Sequence, residues 1–222
     1  MRKALVFILD GLGDRPCAQL RDRTPLQAAK TPTLDRLARD HQCGMMDPLR
    51  PGLPVDTHTG TGILFGLAPR AAINLRRGPI EAADIDLEMR HGDILLRANF
   101  ACVEARGDDT DDDTSGARIL DRRAGRISAE AATLCAALQD IEVGGDVIAS
   151  VHPATQHRAV LRLRGGDLSA RISDTDPGGS GVERGILVSS PDVGGESEEQ
   201  AAARAGADAL NAFTARARTI LQ

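Results

Sequence analysis

Residues Ala4 to Leu9 read ALVFIL and run directly into Asp10-Gly11-Leu12-Gly13-Asp14. An uninterrupted apolar run of this length suits a strand buried on both faces. A carboxylate at its C-terminal end, followed by glycines that let the backbone turn, is where an open α/β sheet places ligand-binding chemistry. The stretch predicts the first and central strand of a sheet, with Asp10 at the sheet's upper edge.

Composition narrows what such a sheet can serve. At 222 residues the chain is long enough for one substantial domain or two small ones. It has no Trp or Tyr and only four Phe, so its core must come from Leu, Ile, Val and Ala. With so few base-stacking surfaces, nucleic-acid binding is disfavoured. The net charge of -5 is mild, and the arginines are dispersed among acids instead of forming one basic block. Guanidinium forks suit phosphate and carboxylate. Cys17, Cys43, Cys102 and Cys135 lack CxxC or zinc-ribbon spacing, which predicts free, structural thiols. No apolar stretch approaches the roughly 18 residues of a membrane helix, and no signal-peptide cleavage pattern is present. The expectation is a cytoplasmic protein that binds neither membrane nor nucleic acid.

Helix signals follow the first run. Thr24-Pro25-Leu26-Gln27-Ala28-Ala29 and Thr31 to Ala38 both place Pro near a first turn, and Leu34, Leu37 and Ala38 predict one buried face for the second helix. Gly44-Met45-Met46 fits a strand edge. A Pro/Gly-rich loop from Pro48 to Pro54 leads to Asp56-Thr57-His58-Thr59-Gly60-Thr61-Gly62, after which Ile63 to Gly66 fits the start of a helix. Beyond Leu75 short apolar runs alternate with charged segments. Ile94 to Val103, Arg118 to Leu120, Asp146 to Val151 and Arg158 to Leu163 predict strands, and Ser128 to Leu138 a helix capped by Ser128. The acidic tract Gly107 to Ser115 reads as a solvated loop. Ser197 to Leu221 predicts a long helix, with Ser197 as cap, glutamates in the first turn and arginines towards the end.

Hydroxyls, a histidine and glycines around Thr57, at a helix start, make a place where free amides and the helix dipole attract phosphate. Thr57 becomes a nucleophile if a metal held by Asp10 lowers its pKa, and a plain capping loop is the alternative reading of the same residues.

Taken in order, KALVFILDGLGDRP, TPLQAAKTPTLDRLA, the THTGTG segment leading to ILFGLAP, RRGPIEAADIDL, GDILLRANFACV, ILDRRAGRI, TQHRAVLRLRG and SDTDP span nearly the whole chain. Together they resemble the archaeal-type cofactor-independent phosphoglycerate mutases of the alkaline phosphatase superfamily. The resemblance implies an α/β fold: a partial alkaline-phosphatase-like sheet domain with an inserted α+β domain. It divides the chain into an N-terminal metal and nucleophile portion at 1–75, an inserted substrate-binding domain at 76–195 and a return helix at 196–222. It further implies interconversion of 3- and 2-phosphoglycerate through a phosphorylated Thr57, at the position where these mutases usually carry Ser. Two divalent metals, Mn, Zn or Mg, would activate that hydroxyl, with Asp10 and Thr57 among their ligands. Arg97, Asn99, Asp121, Arg122, Arg126, His157 and Arg158 fall in the motifs that hold the substrate, Asp121 either orienting an arginine or meeting a substrate hydroxyl. An Asx turn and a ligand contact both account for Asp174 and Asp176.

The family's usual SDTAHLS reads THTGTGI here, and its later DxxGHxxD-like segment has no counterpart. The expectation is that the chain matches the N-terminal half of the catalytic domain plus the inserted domain, with a second chain or a homo-oligomer completing the metal site. Two alternatives accompany it: phosphotransfer or hydrolysis on another phosphorylated or phosphonate hydroxy acid, and non-catalytic, regulatory phosphoester binding.

Overall fold

The computed structural model describes residues 3–9, 11–105, 117–178, 185–194 and 197–222 of the chain. Asp10 and the acidic tract lie outside the described residues. The chain falls into two compact units, Met1–Val55 and Asp56–Gln222.

In the first unit a 3-10 turn, Ala18–Leu20, precedes helices α1 (Pro25–Ala28) and α2 (Pro32–Asp40). A reciprocal capping box sets the start of α1. The Gln27 amide donates to Thr24 Oγ1 at 3.1 Å, and the Thr24 amide donates to Gln27 Oε1 at 2.8 Å. The expected first strand does not form. Ala4 to Leu9 carries no ladder, and its side chains are exposed, Leu5 by 78% and Phe7 by 81%. A strand is a property of a pair, and among the described residues nothing pairs with this run. Gly44 to Met46 likewise joins no ladder, and Leu34 and Leu37 of α2 stay exposed.

The second unit is mixed α/β. Helices α3 (Thr57–Leu64), α4 (Pro69–Ile73) and α5 (Arg77–Asp84) lead into strands β1 (Ile94–Asn99), β2 (Cys102–Ala105) and β3 (Ala117–Asp121). Then come helix α6 (Ala129–Ala137), strands β4 (Ile141–Glu142), β5 (Ile148–Pro153) and β6 (Arg158–Arg164), and helix α7 (Glu198–Leu221). The main sheet is antiparallel in the order β1-β6-β5-β4, while β2 and β3 pair separately. Helix α3 begins six residues before the expected Ile63, so the hydroxyl-rich segment is itself the helix's first turns. Thr59 is buried there, and its hydroxyl donates to the Ala72 carbonyl at 3.2 Å.

Both faces of the sheet are covered. On one, Ile94, Ala149, Val151, Leu161 and Leu163 pack with Cys135 of α6 and Ala209, Leu210 and Phe213 of α7. Burying each large side chain contributes about 1.5–3 kcal/mol. Cys135 is a free thiol, pushed up to about 11 by burial. Ser197 caps α7 by accepting from the Gln200 amide at 3.2 Å, whereas the Ser128 side chain makes no cap bond.

On the opposite face Ala82 of α5 meets Leu95 and Val160. Glycine at 78 allows that approach, since a Cβ there would lie 1.9 Å from the Leu95 carbonyl oxygen. No described helix is long and apolar enough to cross a membrane.

Candidate functional site

The side of the sheet that α5 covers carries an arginine pocket at one end. In the β1–β6 register Arg97 lies opposite Val160 and Asn99 opposite Arg158, so period-two alternation places Arg97, Asn99 and Arg158 on one face. The β5–β6 hairpin adds Gln156 and His157. The turn after β3 adds Arg122, Arg123 and Arg126. Together these eight residues enclose a cavity of about 380 Å³.

Carboxylates behind the pocket hold its parts. Arg122 grips Asp176 bidentately, donating from Nε to Oδ1 at 2.9 Å and from Nη2 to Oδ2 at 2.5 Å, and the Gly178 amide donates to the same Asp176 Oδ1 at 2.9 Å. Burial alone would raise the Asp176 carboxyl, but the Arg122 pair and the Gly178 amide outweigh it and hold it below 3.8. Asp121 does not line the cavity. Its oxygens accept from the amides of Arg123 at 2.8 Å and Gly125 at 2.7 Å, and those two contacts, Gly125 first, hold its carboxyl low. Asp121 thus shapes the turn that presents the arginines. Within it Ala124, Gly125 and Arg126 are left-handed at φ 43, 64 and 59, and Gln156 across the pocket has φ 58.

Under the pocket Glu81 of α5 makes an ion pair with Arg97 Nε at 3.1 Å, and Arg77 approaches the same oxygen to 4.0 Å. The Arg97 contact is charge to charge; Nε is sealed from water and, among the described residues, has no hydrogen-bond partner. Burial raises the Glu81 carboxyl above 4.5 against the opposing pull of Arg77 and Arg158.

His157 is 6% exposed, with Nδ1 buried and, among the described residues, unpartnered. Burial, then Arg158, Arg123 and Arg126, push its pKa below the ordinary imidazole value of 6.5. His152 is lowered too, by burial and then Arg162 and Arg164. With folded values below unfolded ones, both rings are neutral in the native state at pH 7. The unfolded chain binds more protons just below pH 6.5, so stability is complete above that pH and falls as the pH drops through the window beneath it. We expect urea midpoints measured between pH 7.5 and 5 to decline, and His157→Gln to flatten the decline. An unchanged slope in that variant would remove His157 from the effect.

Six of the expected site residues, Arg97, Asn99, Arg122, Arg126, His157 and Arg158, thus share one cavity. Thr57 occupies the exposed first turn of α3 and does not line it. Arg123, Gln156 and Glu81 were not expected. Gly78, three residues before Glu81, seats the helix on the strand, but nothing in the sequence singles out the glutamate itself. Among the described residues no three of His, Cys, Asp and Glu converge to hold a metal. Asp10, which the resemblance implies as a ligand beside Thr57, lies outside the described residues.

A family profile described as 2,3-bisphosphoglycerate-independent phosphoglycerate mutase matches residues 38–222. The chain belongs to this family. The phosphoglycerate mutase of Methanopyrus kandleri is 40% identical over 223 residues, covering 100% of this chain and 49% of the relative. That of Archaeoglobus fulgidus is 38% identical, covering 98% and 49%. The solved cofactor-independent phosphoglycerate mutase from Thermoplasma acidophilum superposes with a TM-score of 0.53 at 35% identity, covering 96% of this chain and 51% of that one. The chain spans about half the length of these relatives.

Proposed function

We propose that this member of the phosphoglycerate mutase family binds a phosphorylated hydroxy acid in the arginine pocket and takes part in interconverting 3- and 2-phosphoglycerate through a phosphorylated Thr57. The observation that carries the reading is the convergence of five arginines on a cavity of about 380 Å³. Such a lining selects an anion over a neutral metabolite. Arg forks match the geometry of carboxylate and phosphate, and fixing both ends of a small substrate is what positions it for transfer. A divalent ion, Mn, Zn or Mg, would have Asp10 and Thr57 among its ligands, with the remainder supplied by a second chain or another copy.

The test is a mutase assay on the purified chain with manganese, alone and with candidate partner chains, alongside native mass determination. Thr57→Ala should abolish turnover, a loss of at least about 1,000-fold for removal of a nucleophile, while leaving 3-phosphoglycerate affinity within a factor of about two. Turnover that survives the substitution would exclude the phospho-Thr57 route. The arginine lining on its own also supports a second reading, non-catalytic phosphoester binding. It predicts metal-independent affinity and no turnover with any partner.

A further inference from the structure

Five arginines that repel one another need something to set their positions, and the pocket carries its answer on α5. Glu81 lies one helical turn after Gly78, whose missing Cβ lets α5 sit against the Leu95 carbonyl. That seat brings the Glu81 carboxylate to 3.1 Å from Arg97 Nε, with both side chains mostly buried, at 19% and 15% exposed. We propose that Glu81 is the positioning residue of the anion pocket: it fixes the Arg97 guanidinium at the β1 end of the cavity from beneath. The inference rests on reading the arginine pocket as the substrate site.

Electrostatics makes the proposal testable by sign. Glu81 is an anion beneath an anion-binding cavity, so as a bare charge it opposes ligand binding, and neutralising it would tighten affinity. As a positioning residue it does the reverse. Without it Arg97 is free to swing away, and the ligand must bear the cost of ordering a side chain rich in rotamers.

Calorimetric titration of the full chain with 3-phosphoglycerate and, separately, with inorganic phosphate reads the two cases apart. Glu81→Gln should weaken both ligands about 5- to 10-fold, the scale of one immobilised side chain, and Glu81→Asp, which keeps the charge but is one methylene short, should weaken them less. Affinity in Glu81→Gln equal to or tighter than wild type overturns the proposal. A second readout needs no ligand. The Arg97 Nε–H resonance, assigned by its loss in Arg97→Lys, should exchange slowly with water in the wild-type chain and quickly in Glu81→Gln, with the backbone amide spectrum otherwise retained. Unchanged exchange also overturns it. Should Glu81→Gln fail to fold, Glu81→Asp decides by the same two measurements, and wild-type behaviour there overturns the proposal. A wild-type chain that binds phosphate but not 3-phosphoglycerate would refute the proposed substrate while the phosphate and exchange data still judge Glu81.

Discussion

Gly78→Ala is expected to cost the fold at least about 3 kcal/mol, the upper end of what overpacking does. The new methyl carbon would meet the Leu95 carbonyl oxygen at 1.9 Å and its carbon at 2.4 Å. These are backbone atoms of a strand paired along its length with β6, so no flexible side chain can step aside. Pro79 immediately follows in the same helical turn and limits how that turn can shift. For a chain of this size the loss corresponds to a melting temperature lower by roughly 6–12 °C. Gly194→Ala is the control, since among the described residues nothing lies within 4 Å of a Cβ there, and it should stay within about 0.5 kcal/mol of wild type. Equal melting curves for the two variants would show that α5 does not sit on β1 as closely as described.

Arg122→Ala should weaken 3-phosphoglycerate binding by about 2.5 kcal/mol, roughly 70-fold. Two losses add: a cation lining the cavity disappears, and Asp176 is left with the Gly178 amide but without the guanidinium that offset its charge. The second loss can be separated from the first. In Arg122→Ala/Asp176→Asn the leftover charge is removed, so affinity should recover part of the way towards wild type without reaching it. Isothermal titration of the two variants against the wild-type chain gives both numbers. Wild-type affinity in Arg122→Ala would mean that the cavity is not where the substrate binds.

The sequence spoke most clearly where a signal is local. Ser197, the two glutamates after it and the arginine near the far end mark α7 because caps and helix-end charges act within a turn of the residues that carry them. Strands β1 and β6 are legible in the alternation of apolar and polar residues, although the stretch from Ile94 to Val103 divides after Asn99 into β1 and β2. The segment from Thr57 reads as the lead-in to a helix that starts at Ile63, since threonine and glycine are poor helix formers. The α3 helix forms there anyway, with Thr59 bonded to the Ala72 carbonyl and Gly62 packed against Leu67 and Leu75. Ala4 to Leu9 misled in the opposite direction, since apolarity announces a strand but only a neighbour makes one.

The pocket arginines are a third case. No spacing rule joins residues 97, 122 and 158; only the order of family motifs brought them together before the register did. Gln156 carries no chemical signal in a hairpin turn, and a glutamate on a short helix looks the same whether it faces water or an arginine.

Arg126 and Gln156 sit at the cavity's rim at φ 59 and 58, a backbone region that glycine or asparagine would occupy more cheaply. Stability and recognition therefore pull in opposite directions at these two positions. A consensus or directed search that rewards heat resistance alone will be drawn to glycine at both, and each gain would remove a cavity-lining side chain.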